Sequence, residues 1–137
     1  MKRAIICDID GTLAILGRRS PYDYQHVNRD RLNEPVALLV RAMSAQGYDI
    51  VLFTGRESSS EAKTKAWLEK HTIPYSTLVM RAVGDNRKDA VVKREMYERA
   101  VEGRYSVAFV LDDRDQVVAM WRKDLRLPCF QVDYGNF

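Results

Sequence analysis

The run Ala4-Ile5-Ile6-Cys7-Asp8-Ile9-Asp10-Gly11-Thr12-Leu13 begins apolar and ends in two aspartates and a glycine. It reads as a buried strand that breaks into a loop at Gly11. Open α/β sheets place their chemistry in the crevice beyond the carboxyl ends of their strands, where Asp8 and Asp10 fall. Side chains two apart in an extended chain project to the same side, so both carboxylates are expected to face one pocket. Two anions held that close call for a cation between them or a proton on one of them. The spacing suits a nucleophile paired with a general acid/base. An Asp-Gly turn at a strand end is the simpler alternative, but Asp-x-Asp-Gly-Thr after an apolar strand is a far more specific pattern.

The rest of the chain repeats this grammar. Asn33, with Glu34 and Pro35 behind it, is placed to cap a helix whose apolar face is Val36, Leu39, Val40 and Met43, and Gly47 is placed to end it. Asp49 to Thr54 reads as a second buried strand stopped by Gly55. Ser58 to Lys70 reads as a weaker helix burying Ala62, Ala66 and Trp67. Thr77 to Arg81 is a third strand, and Val92, Met96 and Ala100 mark one face of the helix after it. Val107 to Leu111 is a fourth strand, and a short helix with Val117, Val118 and Trp121 leads to a last strand at Cys129 to Val132. Leu13 to Arg31 reads as irregular. Alternating strands and helices predict a mostly parallel, five-stranded α/β sheet with helices on both faces.

One domain over residues 1–137 is expected from the length. Hydrophobic residues at 46% and charged residues at 30% are ordinary for a globular chain, and a net charge of +3 permits an anionic partner without requiring one. Two cysteines, both in predicted strands, read as buried hydrophobes of a reducing compartment. No apolar run reaches membrane length, and Asp8 interrupts the first one too early for a signal peptide. The reading is cytoplasmic, with no membrane association.

Two further strand ends and the helix after the third strand carry polar residues. Thr54-Gly55-Arg56 offers a hydroxyl and backbone N–H groups to an oxyanion, with Gly55 permitting close approach; an ordinary turn is the alternative. Asp112-Asp113 can cap a helix or bind a metal, and Asp115 is the better-placed cap. Mg²⁺ takes one or two carboxylates plus waters and substrate phosphate. Asp8 and Asp113, with Asp10 through its backbone carbonyl, would make such a site, and Asp112 is a further candidate ligand. Asp89 and Lys93 stand i, i+4 in favourable order, which from spacing alone reads as a solvated pair.

Taken together, Asp8-x-Asp10-Gly-Thr, Thr54-Gly55-Arg56, a lysine and Asp112-Asp113 resemble, in order, the four motifs of haloacid-dehalogenase-superfamily phosphohydrolases. Gly-Arg-Arg-Ser-Pro-Tyr-Asp, Gly-Asp-Asn-Arg-Lys-Asp-Ala-Val-Val-Lys and Asp-Asp-Arg-Asp-Gln-Val-Val-Ala-Met-Trp-Arg are similar to the 3′-phosphatase domain of phage polynucleotide kinase–phosphatases, from about Arg3 to Phe137. The resemblance implies a haloacid-dehalogenase-like (Rossmann-like) fold without a large cap domain. It implies Asp8 as nucleophile and Asp10 as acid and then base. Thr54 and Lys93 would hold phosphoryl oxygens, and Asp113 would complete a Mg²⁺ site. Arg19 and Arg56 match the family's active-site arginines, and Asp89 matches an acid supporting the lysine. Lys88 competes with Lys93 for the phosphate; the family spacing to Asp113 favours Lys93.

About 20 residues separate the first strand from the first helix, too few for a cap, so the end of a polymer could enter. Arg18, Arg19, Arg56, Arg87, Lys88 and Arg114 are expected to rim the site and to contact phosphates without reading bases. The expected activity is removal of 3′-phosphates from DNA or RNA ends. A phosphatase of small phosphate esters and a catalytically inactive end-binding module are the rivals. No Gly-x-x-x-x-Gly-Lys-Ser/Thr loop is present, so a kinase domain or a ligase partner would lie outside this chain, and a homo-oligomer is compatible with it.

Overall fold

The computed structural model describes residues 1–17, 20 and 22–137; Arg18, Arg19 and Pro21 lie outside the described residues. Strand β1 (Lys2–Asp8) is followed by β2 (Ala14–Ile15), a 3₁₀ turn (Tyr24–Arg29) and β3 (Arg31–Leu32). Helix α1 (Glu34–Ala45), strand β4 (Asp49–Glu57) and helix α2 (Glu61–Lys70) come next, then β5 (Thr77–Arg81) and α3 (Asp89–Ala100). The chain closes with β6 (Tyr105–Asp112), the short α4 (Asp115–Ala119) and β7 (Cys129–Gln131).

Five strands form a parallel sheet in the order β5-β4-β1-β6-β7. Alternate residues of β1 serve opposite layers, as the two-residue period of a strand requires. Ile5 and Cys7 pack with Val40 of α1 and with Trp67 and Leu68 of α2. Ala4 and Ile6 pack with Val92 and Met96 of α3 and with Val118 and Trp121 on the α4 side. The first three sheet strands step outward from β1 to β5. The chain then crosses back to lay β6 on the other side of β1, creating a switch point between β1 and β6.

Several expectations shift in detail. Asn33 occupies the cap position of α1, but its amide donates to the Thr12 carbonyl at 2.8 Å and so ties the first loop to the helix. Helix α2 is preceded by a 3₁₀ turn over Ser58–Ser60 and buries Thr64, Trp67 and Leu68, while Ala62 and Ala66 are exposed. Small size misled there, since alanine is at home on either face of a helix. Gly55 does not stop β4, which continues to Glu57 across an irregularity in its pairing with β5. The stretch expected to be irregular holds a small antiparallel β2–β3 pair, too short to leave a sequence signal. No second layered unit appears in it among the described residues.

Candidate active site

Register sets the first two motifs side by side. Asp8 lies opposite Phe53 on β4, and Cys7 lies opposite Leu111 on β6, so Asp8 ends its strand level with Asp112. Asp8, Asp112 and Asp113 are all buried, and one carboxylate oxygen of each lies within 4.8 Å of the others. The Thr12 hydroxyl lies between two of them, 2.9 Å from Asp8 Oδ2 and 3.3 Å from Asp113 Oδ1. Gly11 has φ +82, and a side-chain carbon there would run into the Asp113 carboxylate. The glycine of the motif therefore supplies both a left-handed turn and the space in which that carboxylate sits.

Lys93 is the counter-charge. Its ammonium, 1% exposed, donates to Asp8 Oδ1 at 2.7 Å and Asp112 Oδ2 at 3.3 Å, and lies 3.4 Å from Asp89. The pair read from spacing as solvated is thus buried: α3 turns the Asp89–Lys93 face inward because Val92 and Met96 beside it pack on the sheet. Burial would pull the lysine pKa down, but Asp112, Asp8 and Asp89 outweigh it and hold it well above its ordinary value. Burial pushes Asp8 well above the usual carboxylate range, with Asp112 and Asp113 adding to the rise against the opposing pull of Lys93. Asp113 is raised as well, chiefly by burial. At Asp89 burial acts upward, yet Lys93, Arg81 and Arg114 together bring its pKa below the ordinary value.

Asp112 is saturated with donors. Its Oδ1 accepts the N–H of Asp113 at 2.8 Å, and its Oδ2 accepts the Trp121 indole N–H at 3.2 Å beside Lys93. Asp115, expected as the cap of α4, is instead its first helical residue and accepts a bond from Gln131 at 2.6 Å. Arg114 holds the cap position.

Asp10 is placed differently from its neighbour. Strand geometry ends at Asp8, and Asp10 sits in the following turn, so the extended-chain argument for their common direction does not apply. Both nevertheless line one cleft of about 680 Å³. Arg56 grips Asp10, with Nη2 at 2.7 Å and Nε at 3.0 Å from Oδ1, and also donates to Thr64 at 3.0 Å and Asp30 at 3.0 Å. Arg56 is 1% exposed, so it is an internal brace and not the solvated rim cation expected from the sequence. Thr54 is fully buried and accepts the Arg56 N–H at 3.0 Å, while Gly55 lines the cleft. A side-chain carbon at Gly55 would stand 2.6 Å from Asp89 Oδ1. Arg19 lies outside the described residues, as does Arg18 of the expected rim.

Of the other rim residues, Lys88 is exposed at the cleft edge, directly before α3. Arg87 is paired with Asp85 and Glu95, at 2.8 and 2.6 Å. Sequence reasoning missed Arg81. It donates to the carbonyls of Gly55, Asp85 and Arg87 at 3.0, 2.9 and 2.7 Å and to Asp89 at 3.1 Å, and so fixes the loop that bears Lys88. An arginine closing an apolar strand was the available signal.

The donor set fits Mg²⁺. Lys93 pairs with Asp8, Asp112 and Asp89, and Asp113 adds a further buried carboxylate, leaving local negative charge in excess, and all the candidate ligands are hard oxygens.

Comparison with known proteins agrees with this geometry. Residues 2–137 match the family described as the polynucleotide kinase PNKP phosphatase domain. A protein of Autographa californica nuclear polyhedrosis virus that carries the name of a bifunctional polynucleotide kinase/RNA ligase is 38% identical over 142 residues, covering 98% of this chain and 20% of its own. A chain in the structure of a Pnkp1/Rnl/Hen1 complex superposes with a TM-score of 0.98 at 46% identity, covering all of this chain and 48% of its own. The class C acid phosphatase of Bacillus anthracis, at 17% identity and TM-score 0.65 over 85% of this chain and 53% of its own, shares the haloacid-dehalogenase-like fold. The chain spans about a fifth of the viral relative and about half of these solved chains. It belongs to the polynucleotide kinase PNKP phosphatase domain family.

Proposed function

We propose that the chain is a Mg²⁺-dependent phosphomonoesterase that removes 3′-phosphates from polynucleotide ends. The observation that carries this reading is the buried set Asp8, Lys93 and Asp113 at the floor of a cleft whose mouth holds Lys88 and Arg114, within a chain of this family. Asp8 and Asp113 would hold the metal with the Asp10 carbonyl, and Asp112, already bonded to Lys93 and Trp121, orients the lysine. When bound, the metal supplies positive charge against the phosphoryl oxygens and lowers the repulsion between them and the carboxylates.

In the first step an Asp8 carboxylate oxygen bonds to phosphorus, the bond to the 3′-oxygen breaks, and Asp10 gives its proton to that oxygen. In the second, water attacks the aspartyl-phosphate, Asp10 takes the water proton, and the Asp8–phosphorus bond breaks to free inorganic phosphate. Arg56 orients Asp10 for both. Lys93 balances the oxygens in flight, and by resemblance Thr54, with the backbone of Gly55 that lines the cleft, would hold them. Lys88 and, by resemblance, Arg19 would bind the phosphate or the adjoining backbone, with Asp89 holding Lys93 in place.

Mg²⁺-dependent phosphate release from a 3′-phosphorylated oligonucleotide, set against its 5′-phosphorylated isomer and small esters, tests the reading. Strong preference for the 3′-end is expected, and Asp8→Asn should lower it at least ~10³-fold with the fold intact by circular dichroism. Equal release from a small ester would move the function to metabolite dephosphorylation. Cytoplasmic location, a self-association and a kinase or ligase partner outside this chain belong to the same proposal. Among the described residues no helix is long and apolar enough to cross a membrane.

A further inference from the structure

The wall of the cleft beside Asp113 carries groups that the phosphoryl chemistry leaves unused. Phe137 lines the cleft and is 63% exposed. The Arg114 guanidinium lies over this ring, 5.0 Å from its centroid, and its Nε donates to the Phe137 backbone oxygen at 2.9 Å.

This wall is built into the site. The Asp115 N–H donates to the Gly135 carbonyl at 2.9 Å, and Gln131 Nε2 donates to the Asp113 carbonyl at 2.9 Å. Gly135 sits so close that a side-chain carbon there would collide with the Asp113 backbone. The segment carrying Phe137 is thus registered against a candidate metal ligand.

A flat ring backed by a guanidinium recognises another π-face. Nucleosides supply that face in their base. Sugar phosphates and simple alkyl phosphates lack it. We propose that Phe137, backed by Arg114, forms a subsite for the terminal nucleoside of the substrate. The ring stacks on the base. The inference rests on the 3′-phosphatase reading and adds base contact where the sequence had suggested phosphate contacts alone.

The test compares two 5′-fluorescein-labelled, 3′-phosphorylated oligonucleotides, one ending in a normal nucleotide and one in an abasic nucleotide. Binding to the Asp8→Asn chain with Mg²⁺ is read by anisotropy, and the same ratio is read from kcat/KM of the active chain. The normal end should be favoured by roughly tenfold, as expected for one base–aromatic stack. Phe137→Ala should bring the ratio near one, and Phe137→Tyr should keep it. Equal treatment of the two ends by the unaltered site, or an undiminished ratio in Phe137→Ala, overturns the subsite while leaving 3′-end release standing. Release from small esters alone, with none from either oligonucleotide, overturns the 3′-phosphatase reading and the subsite with it.

Discussion

Lys93 reaches Asp8, Asp112 and Asp89 at 2.7, 3.3 and 3.4 Å from a fully buried position. Replacing it with alanine would leave three carboxylates around an uncompensated void, a change that costs about 3–5 kcal/mol in buried ion pairs. Lys93→Ala should therefore lower both Tm and phosphate release, the latter by roughly 10²–10³-fold. On the proposed metal site, Mg²⁺ should recover part of the lost Tm in calorimetry, because Asp8 belongs to both sets of carboxylates. Asp89 gives the pH dependence. Its folded pKa lies below the ordinary 3.8, so the stability it contributes is fully present above that value and is lost as pH falls through the folded pKa. The Tm difference between the unaltered chain and Asp89→Asn should be flat above about pH 5 and shrink in more acid buffer. At this scale the meeting of Asp8 and Asp113 was legible, because residue type and order put both at strand ends that the sheet brings within 4.8 Å. The burial of Arg56 was not, because its partners Asp10, Thr64 and Asp30 come from three separate stretches and meet only in the folded chain.

Among the elements, the loop after β1 does more than join β1 to β2. Gly11 and Gly47 both have positive φ, +82 and +94, but only Gly11 faces a neighbouring carboxylate; nothing lies within 4 Å of a carbon placed on Gly47. Alanine at either should cost about 1–2 kcal/mol for the left-handed backbone. Gly11→Ala should in addition displace Asp113 and reduce turnover at least ~100-fold, while Gly47→Ala leaves turnover unchanged. Comparing Tm and rate for the two separates backbone strain from damage to the site. Strand and helix order was readable because apolar runs and 3.6-residue spacing are local signals. Helix α2 was readable in extent but not in facing, since its few apolar residues include alanines that fix no side. The β2–β3 pair was not readable, because two-residue strands are set by what surrounds them.

For the molecule as a whole, the parallel sheet brings the motif-bearing ends of β1, β4 and β6 to one edge, where helix α3 adds Lys93 and Asp89. Its two cysteines sit inside that arrangement, Cys7 wholly buried in β1 and Cys129 in β7, where burial pushes its thiol up to about 12. Neither should react with iodoacetamide at pH 8 in the folded state, and both should react in denaturant, so mass-resolved labelling reports opening of the whole sheet. The protein also carries two tryptophans, one in each layer and both buried. Trp121 donates to Asp112 beside the candidate metal ligands, and Trp67 donates at 2.8 Å to the carbonyl of Asp30, whose carboxylate holds Arg56. Each side of the cleft thus has its own fluorophore, Trp121 linked to Asp8 through Asp112 and Lys93, and Trp67 linked to Asp10 through Asp30 and Arg56. Indole emission, dissected with one tryptophan at a time, becomes a built-in optical channel for watching the Asp8 side and the Asp10 side respond separately.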